Sequence, residues 1–285
     1  MSVLGIGKAN GGISILHALG LGKGCSIGID LSTTVTMLDG NTSVKADDHG
    51  LLQSLTSCWR LEGLPLPSSF GWKVDSDVPI GQGLKSSSSL ACAALRALNS
   101  ATWAGLSDSE LADLAVSAQR EANCSITGSL DDTWAALSPG WKLVDPSLSA
   151  SDSVLMEGEL EEDLRVIIGL RGTRSRRLEP ESFGNQSLLF ERALASLITA
   201  SPLEALSANG IAVAAATEDH EALRISNISI ASGAVAAGIT GSGPAIALVC
   251  FSQDSDAIQS RVSDYFDKII LSNFIPSEEV TEEVN

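Results

Sequence analysis

The chain has 285 residues, 44% of them apolar, enough to bury a core of one large or two ordinary domains. Its 35 acidic against 18 basic residues give a formal charge of −17, a surface that repels nucleic-acid backbones and anionic lipid, so neither partner is expected. The five cysteines are odd in number with no C-x-x-C pair, the histidines are scattered, and the start lacks a basic region followed by a long apolar run. A reduced cytoplasmic protein is expected, without zinc, a secretory leader or a membrane span.

In chain order, the glycine-rich apolar stretch from Val3 to Ile29 reads as strand, loop and strand. Val35 and Met37 alternate with threonines up to Asp39-Gly40, a hairpin signal. Leu51 to Leu61 has helical periodicity, and Trp72 to Ser76 reads as a short strand entering a loop at Pro79. One helix starts in the serine run and aligns Leu90, Ala93, Ala94, Ala97 and Leu98; the next opens with Ser107 and Glu110 at capping-box spacing. The pattern lapses at 145–153, where a domain boundary is placed near 155. A strand at 164–170 follows, then helical patterns at 182–200, 202–216 and 218–225. Next come an Ala/Gly-rich stretch, an apolar strand at 245–251 and a last helix at 254–270. Residues 276–285 read as a solvated acidic tail.

The sharpest chemical feature is the loop Pro79, Ile80, Gly81, Gln82, Gly83, Leu84, Lys85, Ser86, Ser87, Ser88, Ser89. Its glycines let the backbone approach an anion. Serines capping a helix would turn N–H groups and the positive dipole end toward the same point, as a triphosphate requires. A hydroxyl such as that of Ser86 suits magnesium. The loop matches neither G-x-x-x-x-G-K-[ST], for which Pro79 should be glycine, nor G-x-G-x-x-G, for which Ser86 should be. Glu121, at the edge of an apolar helical stripe, is a candidate magnesium ligand, or else a partner of Arg120. Asp131 and Asp132 follow a glycine turn, and one of them could accept the proton of an attacking hydroxyl. The turn Gly238 to Pro244 permits close backbone approach. Arg171, Arg174, Arg176 and Arg177 form a basic cluster suited to an anionic ligand or to a surface patch.

Together these pieces resemble the GHMP kinase superfamily of galacto-, homoserine, mevalonate and phosphomevalonate kinases. Pro79, Gly83, Leu84, Lys85, Ser86, Ser87 and Ser88 match its central motif, and Gly241-Ser242-Gly243-Pro244 its last. The stretch Gly22 to Leu31, Lys85 and Thr127 to Asp132 resemble most the archaeal type of shikimate kinase. The resemblance implies an α+β fold of two domains. The N-terminal one (1–155) is similar to ribosomal protein S5 domain 2, with a left-handed βαβ unit; the C-terminal one (156–275) is ferredoxin-like. It implies ATP and Mg2+ as cofactors and shikimate as small-molecule substrate, and leaves monomer and homodimer open. By the same resemblance Asp131 is the base, with Asp132 as its alternative. Lys8 stands beside the base, Ser86 (or Ser87) and Glu121 bind magnesium, and Arg171, Arg174, Thr240, Gly241 and Ser242 lie near the acceptor. Another kinase of the superfamily, or a sensor that kept the fold, are the rival readings.

Overall fold

The structure is a computed structural model of the chain and describes residues 1–276 except 41–43, 45, 46, 48 and 174–177. The first half runs β1 (Val3–Leu16), a short α1 (Ala18–Leu21), β2 (Gly24–Leu38), α2 (Leu51–Leu61), β3 (Gly71–Ser76), α3 (Ser86–Thr102), α4 (Asp108–Glu121), α5 (Leu130–Leu137), β4 (Trp141–Val144) and β5 (Val154–Gly158). The second half runs β6 (Leu164–Leu170), α6 (Pro180–Gly184), α7 (Ser187–Ile198), α8 (Pro202–Thr217), α9 (His220–Ala231), β7 (Ala236–Ile239), β8 (Ile246–Phe251), α10 (Ser255–Val262) and β9 (Lys268–Asn273). This is a mixed α+β chain with two sheets.

The first sheet has the order β1-β2-β4-β5, with β3 also on β2; the second has the order β7-β8-β6-β9. Both are antiparallel throughout. The sheets change between Gly158 and Leu164, not at 155, because Val154–Gly158 pairs with β4. One core lies between the first sheet and α2, α3, α4 and α5. The other is built on the second sheet and α7–α9, and it takes in Ile13, Ile15, Cys25 and Ile27 from the inner ends of β1 and β2. Those two strands thus belong to both cores and carry the wall on which the halves meet.

Gly7 fixes how closely α3 lies on β1: a Cβ there would sit 2.1 Å from the Ala93 carbonyl oxygen. This draws the helix N-terminus over the middle of the strand. The expected capping box is present: Ser107 accepts from the Glu110 N–H, and the Glu110 carboxylate accepts from the Ser107 N–H, which satisfies two N–H groups left open at the start of α4.

The structure departs from the sequence expectations at several elements. Among the described residues Asp39-Gly40 closes no hairpin: the strand antiparallel to β2 on that side is β3, reached only after α2. The helix expected over 254–270 stops at Val262, and Lys268–Asn273 is a strand whose ladder is completed by β6. Ala236–Ile239, within the Ala/Gly-rich stretch, is a buried strand on β8. Asp131 and Asp132 lie in the first turn of α5, a helix the pattern did not single out. The expected tail lies largely outside the described residues.

Candidate active site

Three residues of the loop after β3 have left-handed backbone: Gly81 (φ 71°), Gly83 (φ 79°) and Lys85 (φ 67°). Such turns bring main-chain N–H groups to one side. Lys85 is the N-cap of α3, and no side chain caps the helix. The first helical hydrogen bond runs from the Ser89 N–H to the Lys85 carbonyl, 2.9 Å. The N–H groups of Ser86, Ser87 and Ser88 therefore stand at the open tip of a 17-residue helix, beside a cleft of about 430 Å3 that these residues line. The donor set fits a polyphosphate.

Across the cleft stand the two acids. Ser26 Oγ lies 2.8 Å from Asp131 Oδ2 and 3.0 Å from Asp132 Oδ1. Lys85 Nζ lies 2.6 Å from Asp132 Oδ1 and 2.5 Å from Ser14 Oγ. Asp131 is 5% exposed. Burial and the neighbouring Asp132 charge push its carboxyl up to about 7, against the downward pull of Lys85 and Ser26. Burial acts upward on Asp132 too. There the Lys85 charge and hydrogen bond, with help from His17 and Ser26, outweigh it and hold the carboxyl below its ordinary value. The result is an ionised carboxylate paired with lysine and, beside it, a carboxyl that titrates near neutrality.

The C-terminal half closes the wall. Thr240 Oγ1 donates to the Gly83 carbonyl at 3.0 Å and accepts from the Ser14 N–H at 3.2 Å. The Gly241 N–H donates to Ser14 Oγ at 3.2 Å. Gly241 and Ser242 line the cleft. A second cavity of about 630 Å3, between α6 and the start of α9, shares the Leu178 and Ser242 walls. Arg171 lines it, held by Pro244 O at 2.8 Å and by both oxygens of Asp219.

Several expected site residues stand elsewhere. Glu121 is exposed at the end of α4, where its Oε2 accepts from Cys58 Sγ at 3.4 Å, and it does not line the cleft. Gln119 lines it instead. At 100° per residue, position 121 is turned 200° away from position 119. Lys8 is exposed on the outer face of β1 with Ile6; the lysine beside the acids is Lys85. Ser86–Ser89 form the first turn of α3 and are not its caps. Ser89 is buried against Ala9 O and Thr33 Oγ1. Leu84 is core, and the Gln82 side chain donates to Gly172 O at 2.7 Å. Neither these three nor Pro79 lines the cleft, whereas Ile80, Gly81, Gly83 and Lys85 do. Thr240 is buried behind the cleft wall. Arg174, Arg176 and Arg177 lie outside the described residues.

Ser14, Ser26, His17 and Gln119 were not anticipated. The signal was there for the serines: each interrupts an apolar run in a buried strand, and the register sets Ser14 opposite Ser26. Gln119 is 1% exposed; it accepts from Ser88 Oγ at 3.0 Å and its Nε2 donates to Thr133 Oγ1 at 3.3 Å, tying the helix tip to α5.

Fold and cleft together define a small-molecule kinase of the GHMP class. Residues 52–140 match the family described as GHMP kinases N terminal domain. The chain is 30% identical over 218 residues to the shikimate kinase of Pyrococcus abyssi, covering 73% of this chain and 78% of that one. It is 26% identical over 277 residues to the shikimate kinase of Methanobrevibacter smithii, covering 92% and 94%. The Methanococcus jannaschii mevalonate kinase structure superposes with a TM-score of 0.74 at 14% identity, over 95% of this chain and 98% of that one. A structure described as MDDEF in complex with MVAPP, AMPPCP and magnesium superposes with a TM-score of 0.69 at 15% identity, over 96% and 97%. The chain belongs to the archaeal shikimate kinase family within the GHMP kinases.

Proposed function

We propose that this protein is a shikimate kinase, moving the γ-phosphoryl group of ATP to the 3-hydroxyl of shikimate, a step of aromatic amino-acid biosynthesis. The observation that carries the reading is the meeting of Lys85 and Asp132 at 2.6 Å beside the uncapped tip of α3; the shikimate kinases among its relatives supply the acceptor. The first sheet and its helices (1–158) serve as the nucleotide domain and the second half as the acceptor domain.

Bound in this cleft, ATP would supply the phosphoryl group and Mg2+ the positive charge that neutralises its phosphates. The N–H groups of Ser86–Ser88 bind the phosphate oxygens. The hydroxyls of Ser86 and Ser87, with the cleft carboxylates, form the oxygen set on which the cation would rest; magnesium takes few protein ligands when phosphates supply the others. Asp132 orients the acceptor hydroxyl and draws off its proton as the oxygen attacks phosphorus in line. The bond from the γ-phosphorus to the β,γ-bridging oxygen breaks, and ADP leaves. The proton stays on the acid pair, where Asp131 holds it more tightly near neutral pH. Asp132 is placed ahead of Asp131 as the immediate partner because it is ionised and contacts Lys85. Arg171 and the second cavity take the far end of the acceptor.

The test is phosphate transfer from ATP measured with shikimate, homoserine and mevalonate side by side. Turnover is expected with shikimate; its absence there, with turnover on another alcohol, overturns the reading. Asp132→Asn should lower turnover by about 10^2–10^4 with ATP binding kept. Wild-type turnover in that variant removes Asp132 from the role.

A further inference from the structure

Ser14 stands at the inner end of β1, 2% exposed and yet lining the cleft. Two donors converge on its Oγ: the Lys85 ammonium at 2.5 Å and the Gly241 N–H at 3.2 Å. A serine hydroxyl has two lone pairs with which to accept and one O–H to give. Neither an ammonium nor a backbone N–H can accept, so both contacts run toward the oxygen and both lone pairs are taken. The O–H is left over, and no oxygen among the described residues takes it. The neighbouring buried serines differ. Ser26 gives its proton to the acid pair, Ser88 to Gln119 Oε1, and Ser89 to Ala9 O or Thr33 Oγ1. With Cβ and two incoming donors around the Ser14 oxygen, the O–H has one direction left. It cannot turn away without losing Lys85 or Gly241. The lysine charge against the oxygen also makes that proton a stronger donor. A buried donor held in this way is costly to leave unpaired, and it suits an anionic oxygen arriving in the cleft.

We propose, resting on the reading above that the cleft takes ATP, that Ser14 is a catalytic residue: its hydroxyl donates to a non-bridging oxygen of the phosphoryl group in transit. Its placement favours that oxygen. Through Lys85, Ser14 is tied both to the N-cap of α3, at the tip that receives the phosphates, and to Asp132, which receives the proton of the acceptor hydroxyl. The group that passes between those two points is the one being transferred. Gly241 brings the C-terminal wall to the same oxygen, so the donor is set only when both halves of the cleft are in place. The transferred group spreads its charge over three equatorial oxygens. A donor fixed beside one of them in advance stabilises that charge without reorganising.

The experiment uses the full-length protein and compares wild type, Ser14→Ala and Ser14→Thr. Affinity is measured for Mg–ADP alone and for Mg–ADP with aluminium fluoride, which mimics the phosphoryl group in transit; turnover with shikimate is followed against pH. In Ser14→Ala, turnover and affinity for the mimic are each expected to fall about a hundredfold, the usual loss for one transition-state donor, with ADP affinity within about twofold. Ser14→Thr keeps the hydroxyl and should recover at least about tenfold of both. The pH of half-maximal activity should be the same in wild type and Ser14→Ala. A purely structural role, acting by releasing Lys85, would shift it through Asp132. Equal affinity for the mimic in wild type and Ser14→Ala overturns the proposal alone, as does a loss matched by an equal loss of ADP affinity or by a shifted pH profile. If Ser14→Ala does not fold, Ser14→Thr decides: affinity for the mimic near that of wild type supports the proposal, and a hundredfold loss with ADP still bound overturns it. Failure of the wild type to bind Mg–ADP removes the underlying reading and this proposal with it.

Discussion

Two glycines of the phosphate loop share a left-handed backbone but differ in their surroundings, and this allows a quantitative test of how the halves are joined. At Gly81 an added Cβ meets nothing within 4 Å. Gly81→Ala should therefore cost only the left-handed conformation, about 1 kcal/mol. At Gly83 the Cβ would stand 2.1 Å from the Thr240 carbonyl oxygen, more than an ångström inside the 3.4 Å at which ordinary contact begins. Relief requires the loop and the 240–244 turn to separate. That movement breaks the bond from Thr240 Oγ1 to Gly83 O and strains that from the Ala245 N–H to Gln82 O. With about 1 kcal/mol for each bond, Gly83→Ala should cost about 3 kcal/mol. In thermal unfolding this is a fall of roughly 6 °C against roughly 2 °C for Gly81→Ala. The KM for ATP should rise about tenfold in Gly83→Ala as the tip of α3 loses its support. Equal stability losses in the two variants would refute the claim that this contact fastens the loop to the C-terminal half.

Two further outcomes follow from the electrostatics and the sheet edge. Because the Asp131 carboxyl is pushed up to about 7 when folded, the folded state keeps a proton that the unfolded chain releases near pH 4. The stability so contributed is complete below about pH 4 and is lost as pH rises to about 7, on the order of 1 kcal/mol per pH unit. Urea unfolding across that range should show a shallower decline in Asp131→Asn than in wild type; parallel curves would exclude it. At the other edge, Asp30 accepts from Ser272 Oγ and from the N–H and Nδ2 of Asn273, fastening the end of β9 to β2. Asp30→Ala should cost about 1–2 kcal/mol and speed amide exchange over 268–275 without affecting α3; unchanged exchange there would show that the strand is held by its ladder alone.

The readable parts of this sequence were those in which local chemistry decides. Leu51–Leu61, the capping box of α4 and the strand Leu164–Leu170 are fixed by periodicity and caps within a few residues, and the glycine–serine loop announced an anion site by composition. What escaped depends on distant partners. Lys268–Asn273 becomes a strand because β6, about a hundred residues earlier, offers an open edge. Asp39-Gly40 is a hairpin signal defeated by the later arrival of β3. Within the site, Glu121 drew attention by its charge, but helical phase gives the cleft to Gln119. Lys8 and Lys85 both lie near β1 in sequence or space; strand alternation turns Lys8 outward, and the backbone conformation at residue 85 brings Lys85 to the acids.

That conformation is also where loop geometry and acid chemistry become one problem. Lys85 is an N-cap in the left-handed region, with its carbonyl turned into α3 to accept from the Ser89 N–H. From that position its side chain, 6% exposed, reaches Asp132 and Ser14. An extended backbone at residue 85 would send the ammonium elsewhere and misplace the first turn of the helix together. The charge on Asp132 therefore depends on the fold of the loop, and the open tip of α3 begins at the residue that neutralises Asp132. Asp131 completes the coupling: it lies against Asp132 and shares Ser26 with it, so displacement of Lys85 would leave two buried carboxyls with less positive charge and raise their proton affinity. On the reading proposed above, the readiness of Asp132 as base is thereby coupled to the loop conformation that forms the phosphate site.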